Sequence, residues 1–71
     1  MNQAILFNDD HLFLQDQQMW RFTGLIAGDR ITIYIKANNN VLTLAMKLNF
    51  EELVEDYLED EEPNSHNEIW L

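Results

Sequence analysis

The sequence has no cysteine, one proline, two glycines and only four basic side chains. Without cysteine there is no disulfide, no thiolate nucleophile and no thiolate ligand for zinc. The two glycines, which lie in or beside one predicted hairpin, do not form a glycine-rich phosphate loop. The longest apolar stretches are far shorter than the ~20 residues that a membrane helix needs. Residues 1–4 lack the basic and apolar regions of a signal peptide. We therefore expect a cytoplasmic protein with no membrane partner.

Acidic side chains are abundant in the sequence. Its 71 residues include 13 Asp and Glu, which give a net charge of -9, while 46% of the residues are hydrophobic. A chain of this length and composition is typical of one small globular domain, so we expect residues 1–71 to form a single domain without internal repeats. The charge alone does not identify a function.

The negative charge is confined to the last third of the chain. Residues 1–48 contain four acidic and four basic side chains, whereas residues 49–71 contain nine acidic side chains and no Lys or Arg. Such an asymmetry bears on partners and solubility rather than on the fold. It predicts repulsion of nucleic acid and of anionic lipid by the acidic region, so we expect no direct nucleic-acid ligand.

Four segments before residue 37 have the composition of strands. They are residues 4–7, 12–14, 19–26 and 30–36, with an ordered loop as the alternative for residues 12–14. In the last of these, Ile31, Ile33 and Ile35 alternate with polar residues, which predicts one buried face. Gly28 and Asp29 have the turn chemistry of a hairpin between the third and fourth segments.

Residues 41–48 are ambiguous between strand and helix. Their alternation favours a strand paired with residues 30–36, although Leu, Ala, Met and Lys are also good helix formers. From Asn49 the pattern predicts a helix to Glu62, with Asn49 as N-cap and Pro63 after its end. Its apolar stripe comprises Phe50, Leu53, Val54, Tyr57 and Leu58. The short apolar end at residues 68–71 predicts a last edge strand. The expected fold is α+β: an antiparallel sheet of three to five short strands packed by one amphipathic acidic C-terminal helix.

Three parts of the sequence resemble the proteobacterial domain-of-unknown-function 1488 family. They are residues 1–7 at the start, residues 22–35 with Gly28 and Tyr34, and the helix from Phe50 with the short apolar end at residues 68–71. The resemblance implies a small α+β fold and no particular chemistry. Between Val41 and Phe50 the family has a longer helical segment than this sequence. A helix therefore remains an alternative to a strand for residues 41–48.

Residues that could support catalysis or metal binding are few. Ser65 and His66 are adjacent in a polar loop, which does not supply the orienting group and oxyanion site of a catalytic triad. Asp9, Asp10 and His11 are consecutive, so their side chains point apart on an extended chain, and we interpret them as a turn with a solvated histidine. We expect no enzyme activity, no cofactor and no metal.

The acidic helix is the unusual feature. Glu51, Glu55 and Glu59 recur four residues apart, as do Glu52, Asp56 and Asp60. They form two rows, and successive carboxylates within a row are about 6 Å apart along the helix axis. A solvated face that keeps the protein soluble would look the same. The alternative is a docking face for a basic protein surface, with mimicry of nucleic-acid phosphates as one form of it.

Two hypotheses for function follow. In the first, the chain is a small binding or inhibitory protein whose six helix carboxylates dock on a basic surface, such as that of a nucleic-acid-binding protein, a toxin or a defence complex. In the second, it is a non-catalytic structural protein that forms a homodimer or larger homo-oligomer through its sheet edges or through Trp70. For Trp70 we favour a buried side chain that holds the last strand against the sheet, because so small a domain needs its aromatic residues for the core.

Overall fold

A five-stranded sheet carries one long helix across one of its faces. The structure is a computed structural model that describes residues 4–71. The strands are β1 (Leu6–Phe7), β2 (Leu12–Leu14), β3 (Met19–Ile26), β4 (Asp29–Lys36) and β5 (Glu68–Trp70), and the helix α1 spans Leu44–Asp60. The expected α+β class and strand number are confirmed. The first strand is shorter than predicted, since residues 4 and 5 lie outside it.

The centre of the sheet is the β3–β4 hairpin. All eight residues of each strand pair, from Met19 with Lys36 to Ile26 with Asp29. Ala27 and Gly28 close the hairpin with positive φ angles of 52° and 88°, which is the turn geometry that matches the right-handed twist of the strands. β1 and β2 both pair with β3, one after the other along its outer edge.

The sheet is mixed, not wholly antiparallel as predicted. β5 pairs in parallel with β4, with Ile33 opposite Ile69 and Tyr34 opposite Trp70. The reason is that the chain leaves β4, crosses the inner face of the sheet as α1 and only then returns to its edge. Parallel neighbours need such a crossover, whereas an antiparallel neighbour can follow a tight turn.

The helix begins at Leu44, so the prediction of a strand over residues 41–48 is wrong. Thr43 is the N-cap in place of the predicted Asn49, and its hydroxyl accepts a hydrogen bond of 3.1 Å from the Met46 amide. A run of good helix formers therefore follows a good cap, and this local preference prevails over the alternation. The helix ends at Asp60, two residues before the predicted Glu62, and the Glu61 amide still donates to the Tyr57 carbonyl.

The core lies between the helix and the inner face of the sheet. As predicted, this face carries Trp20, Phe22 and the three alternating isoleucines, all buried. From the helix only Phe50, Val54 and Leu58 are buried, so the predicted apolar stripe is wrong at Leu53, which is 41% exposed. Because the helix packs with spacing four along this face, Leu53 falls on its flank.

Candidate functional site

Five of the six predicted partner-binding carboxylates lie on the solvent side of α1, and the sixth, Glu51, lies on the flank of the helix. We call Glu51, Glu52, Glu55, Asp56, Glu59 and Asp60 the acidic ridge. Glu51 is partly buried, and the other five are exposed. Because α1 starts at Leu44, all six lie in the middle and last turns. None is in the first turn, where the helix dipole would favour an acid, and no basic residue occupies the last turn.

Within residues 4–71, no ion pair involves the acidic ridge, because every ion pair there involves Asp9 instead. Lys47, the one basic residue of the helix, donates to Asp9 Oδ1 at 2.6 Å. This contact lowers the pKa of Asp9 below its usual value. It also ties the first turns of the helix to the loop between β1 and β2.

The remaining cations lie on the other side of the molecule. The side chains of Arg21, Arg30 and Lys36 point away from the helix, since their neighbours in sequence point into the core. All three are exposed. The protein is therefore electrically polarised across its thickness, with the acidic ridge on one side and these cations on the other.

Exposed leucines adjoin the ridge. Leu44 is 72% exposed and Leu48 is 57% exposed, and Val41 just before the helix is 62% exposed. Leu48 precedes Glu51 by three residues and Glu52 by four, so these side chains are neighbours on the helix surface. The solvent side of α1 thus has an apolar N-terminal part and an acidic C-terminal part.

Trp70 lies on the open side of the sheet and not in the core, so the prediction of a buried Trp70 is wrong. Its side chain is 54% exposed, and its ring stacks on Tyr34 with centroids 4.0 Å apart and planes 11° apart. Its indole N–H donates to Glu68 Oε1 at 3.1 Å. This bond, helped by Asn64, lowers the pKa of Glu68. The residue that anchors β5 is instead its neighbour Ile69, which is fully buried.

The open side of the sheet has a shallow depression of about 310 Å³ between the two arginines. Its lining comprises Asp10, Arg21, Thr23, Arg30, Thr32 and Tyr34. Both oxygens of the Asp10 carboxylate accept from Thr23, one from its amide at 2.9 Å and one from its hydroxyl at 2.6 Å. Partial burial opposes ionisation of Asp10, but these hydrogen bonds prevail and lower its pKa.

His11 is buried, which contradicts the interpretation of a solvated histidine. Its side chain is 4% exposed and stacks on Phe22 with ring centroids 4.4 Å apart. Neither ring nitrogen has a hydrogen-bond partner among residues 4–71. Burial, with a smaller contribution from the Lys47 ammonium, lowers the pKa of His11. The local sequence carries no sign of this placement except that His11 and Phe13 alternate with Leu12, which lies on the open side.

Other chemistry is sparse over the described ranges. No group of three or more His, Asp or Glu side chains between residues 4 and 71 is placed to hold a metal ion. Ser65 and His66 are exposed in the loop before β5, where the His66 amide donates to the Asn64 side chain. In the described part of the chain, no helix has the length and apolar character needed to cross a bilayer.

The fold and these surfaces define a small two-layer α+β protein with one acidic and one mixed face. A solved structure with this fold is a crystal structure of a protein of unknown function from the DUF1488 family of Shewanella loihica PV-4. The two are 22% identical, the match covers 100% of this chain and 94% of that one, and the TM-score is 0.64. The resemblance to this family is thus confirmed as a likeness of fold. Residues 1–3, where the resemblance begins, lie outside the described residues. No family model and no curated protein matches the chain.

Proposed function

We propose that the chain is a small, non-catalytic cytoplasmic binding protein that docks its acidic ridge on a basic surface of a partner protein. The observation that carries this proposal is the isolation of the ridge. Five of its carboxylates are exposed, and Arg21, Arg30 and Lys36 are on the far side of the sheet. An unpaired array of one sign is suited to steering a partner of the opposite sign.

The ridge weakens the protein that carries it. Each row contributes two like-charge pairs four residues apart, and each pair costs ~0.2 to 0.5 kcal/mol, so the four cost about 1 to 2 kcal/mol. A 71-residue domain is stabilised by only about 4 to 11 kcal/mol. Binding to a basic surface would relieve this repulsion, which supports a docking face over a merely solvated one.

The exposed leucines also support docking. Solubility alone does not require Leu44 and Leu48 in water, but a protein interface commonly combines a buried apolar centre with a charged rim. A partner that fits this helix would therefore present an apolar recess bordered by Lys or Arg. Inhibition by mimicry of nucleic acid is one form of this function, because a nucleic-acid-binding protein offers such a basic surface.

A capture experiment with matched baits tests the proposal. The baits are the wild-type chain, the ridge variant Glu55→Lys/Glu59→Lys and a control, Asp16→Lys/Asp29→Lys. Both variants change the net charge equally, but Asp16 lies in the turn before β3 and Asp29 is the first residue of β4, so neither belongs to the acidic ridge. We expect a basic protein, identified by mass spectrometry, to bind the wild type and the control, to be released at high salt, and to be missing from the ridge variant.

Quantitative binding of the purified partner completes the test. The affinity should fall steeply with ionic strength, because exposed charges attract each other less as screening increases. A partner that binds the ridge variant as tightly as the wild type would contradict the proposal. So would a partner whose binding does not depend on salt.

A further inference from the structure

The side of the sheet that faces away from α1 is an uncovered surface with its own composition. We call it the open sheet face, and it is formed by the outward side chains of all five strands. Across its middle run Leu12, Arg21, Tyr34 and Trp70, which the strand register places side by side. The helix layer does not cover any of them, because α1 packs on the opposite side.

Large apolar groups on this face are exposed to water. Leu6 is 73% exposed, Leu12 is 48% exposed and Trp70 is 54% exposed. Leu25 lies beside Leu6 in the register and Tyr34 lies beside Trp70, whereas Arg21 lies between Leu12 and Tyr34, so apolar and polar groups alternate across the face. An exposed apolar surface rimmed by polar groups is typical of a protein interface.

The charges of the open sheet face are nearly balanced. It carries the cations Arg21, Arg30 and Lys36 and the carboxylates Asp10 and Glu68. Asp10 is held in place by Thr23 and Glu68 by Trp70 and Asn64. A surface that carries both signs can be complementary to a copy of itself, which is the requirement for a twofold interface.

The charge of the rest of the molecule decides which surface two copies can share. The acidic ridge of one chain repels that of another, so contacts through the helix layer are opposed by electrostatics. Pairing through the open sheet faces places the two ridges on the outer sides of the pair, as far apart as the molecule allows. The same pairing removes Leu6, Leu12 and Trp70 from water.

The geometry points to a second copy of this chain as the occupant of the open sheet face, in a twofold dimer in which the two sheets pack against each other. The two eight-residue strands are about 27 Å long and four strand positions are about 19 Å wide, so the face covers at most roughly 500 Å² in projection, because the other three strands are shorter. Stable interfaces bury about 800 Å² per partner. The open sheet face is therefore smaller than a standard stable interface, and the dimer should be weak, reversible and concentration-dependent.

The test is the mass of the full chain in solution, measured by sedimentation from low micromolar to several hundred micromolar concentrations. We expect a shift from one chain of 8.5 kDa to two as the concentration rises. Leu12→Glu should keep the chain monomeric at concentrations where the wild type is dimeric. The matched control is Leu48→Glu, which adds the same charge at a comparably exposed leucine of the helix and should leave the dimer intact.

A second variant covers the case in which Leu12→Glu impairs folding. Arg21→Glu changes an exposed side chain at the centre of the face and should also abolish the dimer, while circular dichroism shows that the fold is retained. The ridge variant Glu55→Lys/Glu59→Lys should leave dimerisation equal or stronger, since it removes part of the repulsion between the two chains. The same variant should lose the acidic-ridge complex with a basic partner, so the two proposals can fail separately.

Four results would overturn the inference. The first is a monomer at every concentration, and the second is a dimer that Leu48→Glu abolishes but Leu12→Glu does not. The third is a dimer that the ridge variant Glu55→Lys/Glu59→Lys abolishes. The fourth is open-ended growth beyond two chains, which would show that the helix of one copy packs on the sheet of the next.

Discussion

The substitutions Leu58→Ala and Leu53→Ala remove the same atoms from two leucines of one helix that differ in burial. Leu58 is 2% exposed and packs in the core, whereas Leu53 is 41% exposed on the helix flank. The change in intrinsic helix propensity is the same at both positions. The difference between the two variants therefore reports burial alone.

The expected magnitudes are well separated. Leu58→Ala loses the transfer free energy of the side chain and leaves a cavity, at a cost of about 2 to 5 kcal/mol. Leu53→Ala loses roughly half of a transfer term of ~2 kcal/mol and encloses no cavity, so it should cost about 1 kcal/mol. At about 6 °C per kcal/mol for a domain of this size, Tm falls by about 12 to 30 °C for Leu58→Ala and by about 6 °C for Leu53→Ala.

Urea unfolding at 25 °C, followed by far-UV circular dichroism, provides the free energies, and thermal melts provide the values of Tm. The denaturant slope should stay constant across the two variants and the wild type, so that the midpoints compare stability alone. Equal midpoints for the two variants would refute the assignment of the buried face. A larger loss for Leu53→Ala would show that the helix is rotated about its axis by close to a third of a turn.

Other predictions concern the cap, the buried histidine and the ridge. Thr43→Ala should lower the free energy of unfolding by about 1 kcal/mol. Asn49→Ala changes an exposed residue in the helix interior and should be neutral or stabilising. The midpoints of urea unfolding test both predictions. Stability should fall as the pH drops from about 7 to about 5.5, because burial lowers the pKa of His11 below its unfolded value and the unfolded chain takes up the proton first. The variant His11→Leu should flatten this pH dependence. An unchanged pH profile in that variant would show that His11 is not its cause. Glu55→Lys/Glu59→Lys should raise Tm through new pairs with neighbouring carboxylates, and a lower Tm in a thermal melt would show that these side chains make stabilising contacts.

Much of the fold could be predicted from local patterns. The β3–β4 hairpin follows from alternation and β-branched residues, and its inner face was predicted residue by residue. The exposure of most of the acidic ridge also follows from its spacing, because consecutive turns of a helix repeat the same face. In both cases the signal is carried by residues that are close in the chain.

The errors had two origins. Over residues 41–48 the apolar alternation competes with helix propensity, and the local preference for a helix after the Thr43 cap prevails. The parallel pairing of β5 could have been foreseen from one signal: a helix between two strands is the connection that a parallel pair requires. The sequence does not show which strand β5 joins, because that depends on where the helix ends over the sheet.

By itself, the sequence determined that the chain is acidic in its last third, that a hairpin precedes an acidic helix, and that one strand face is apolar. These properties depend on composition and on short-range geometry. The tertiary structure decided that the His11 side chain is buried against Phe22, that Trp70 is exposed beside Tyr34, and that three of the four cations lie opposite the acidic ridge. The physical reason is that a sheet face exists only once strands from different parts of the chain lie side by side, and burial or exposure is a property of that face.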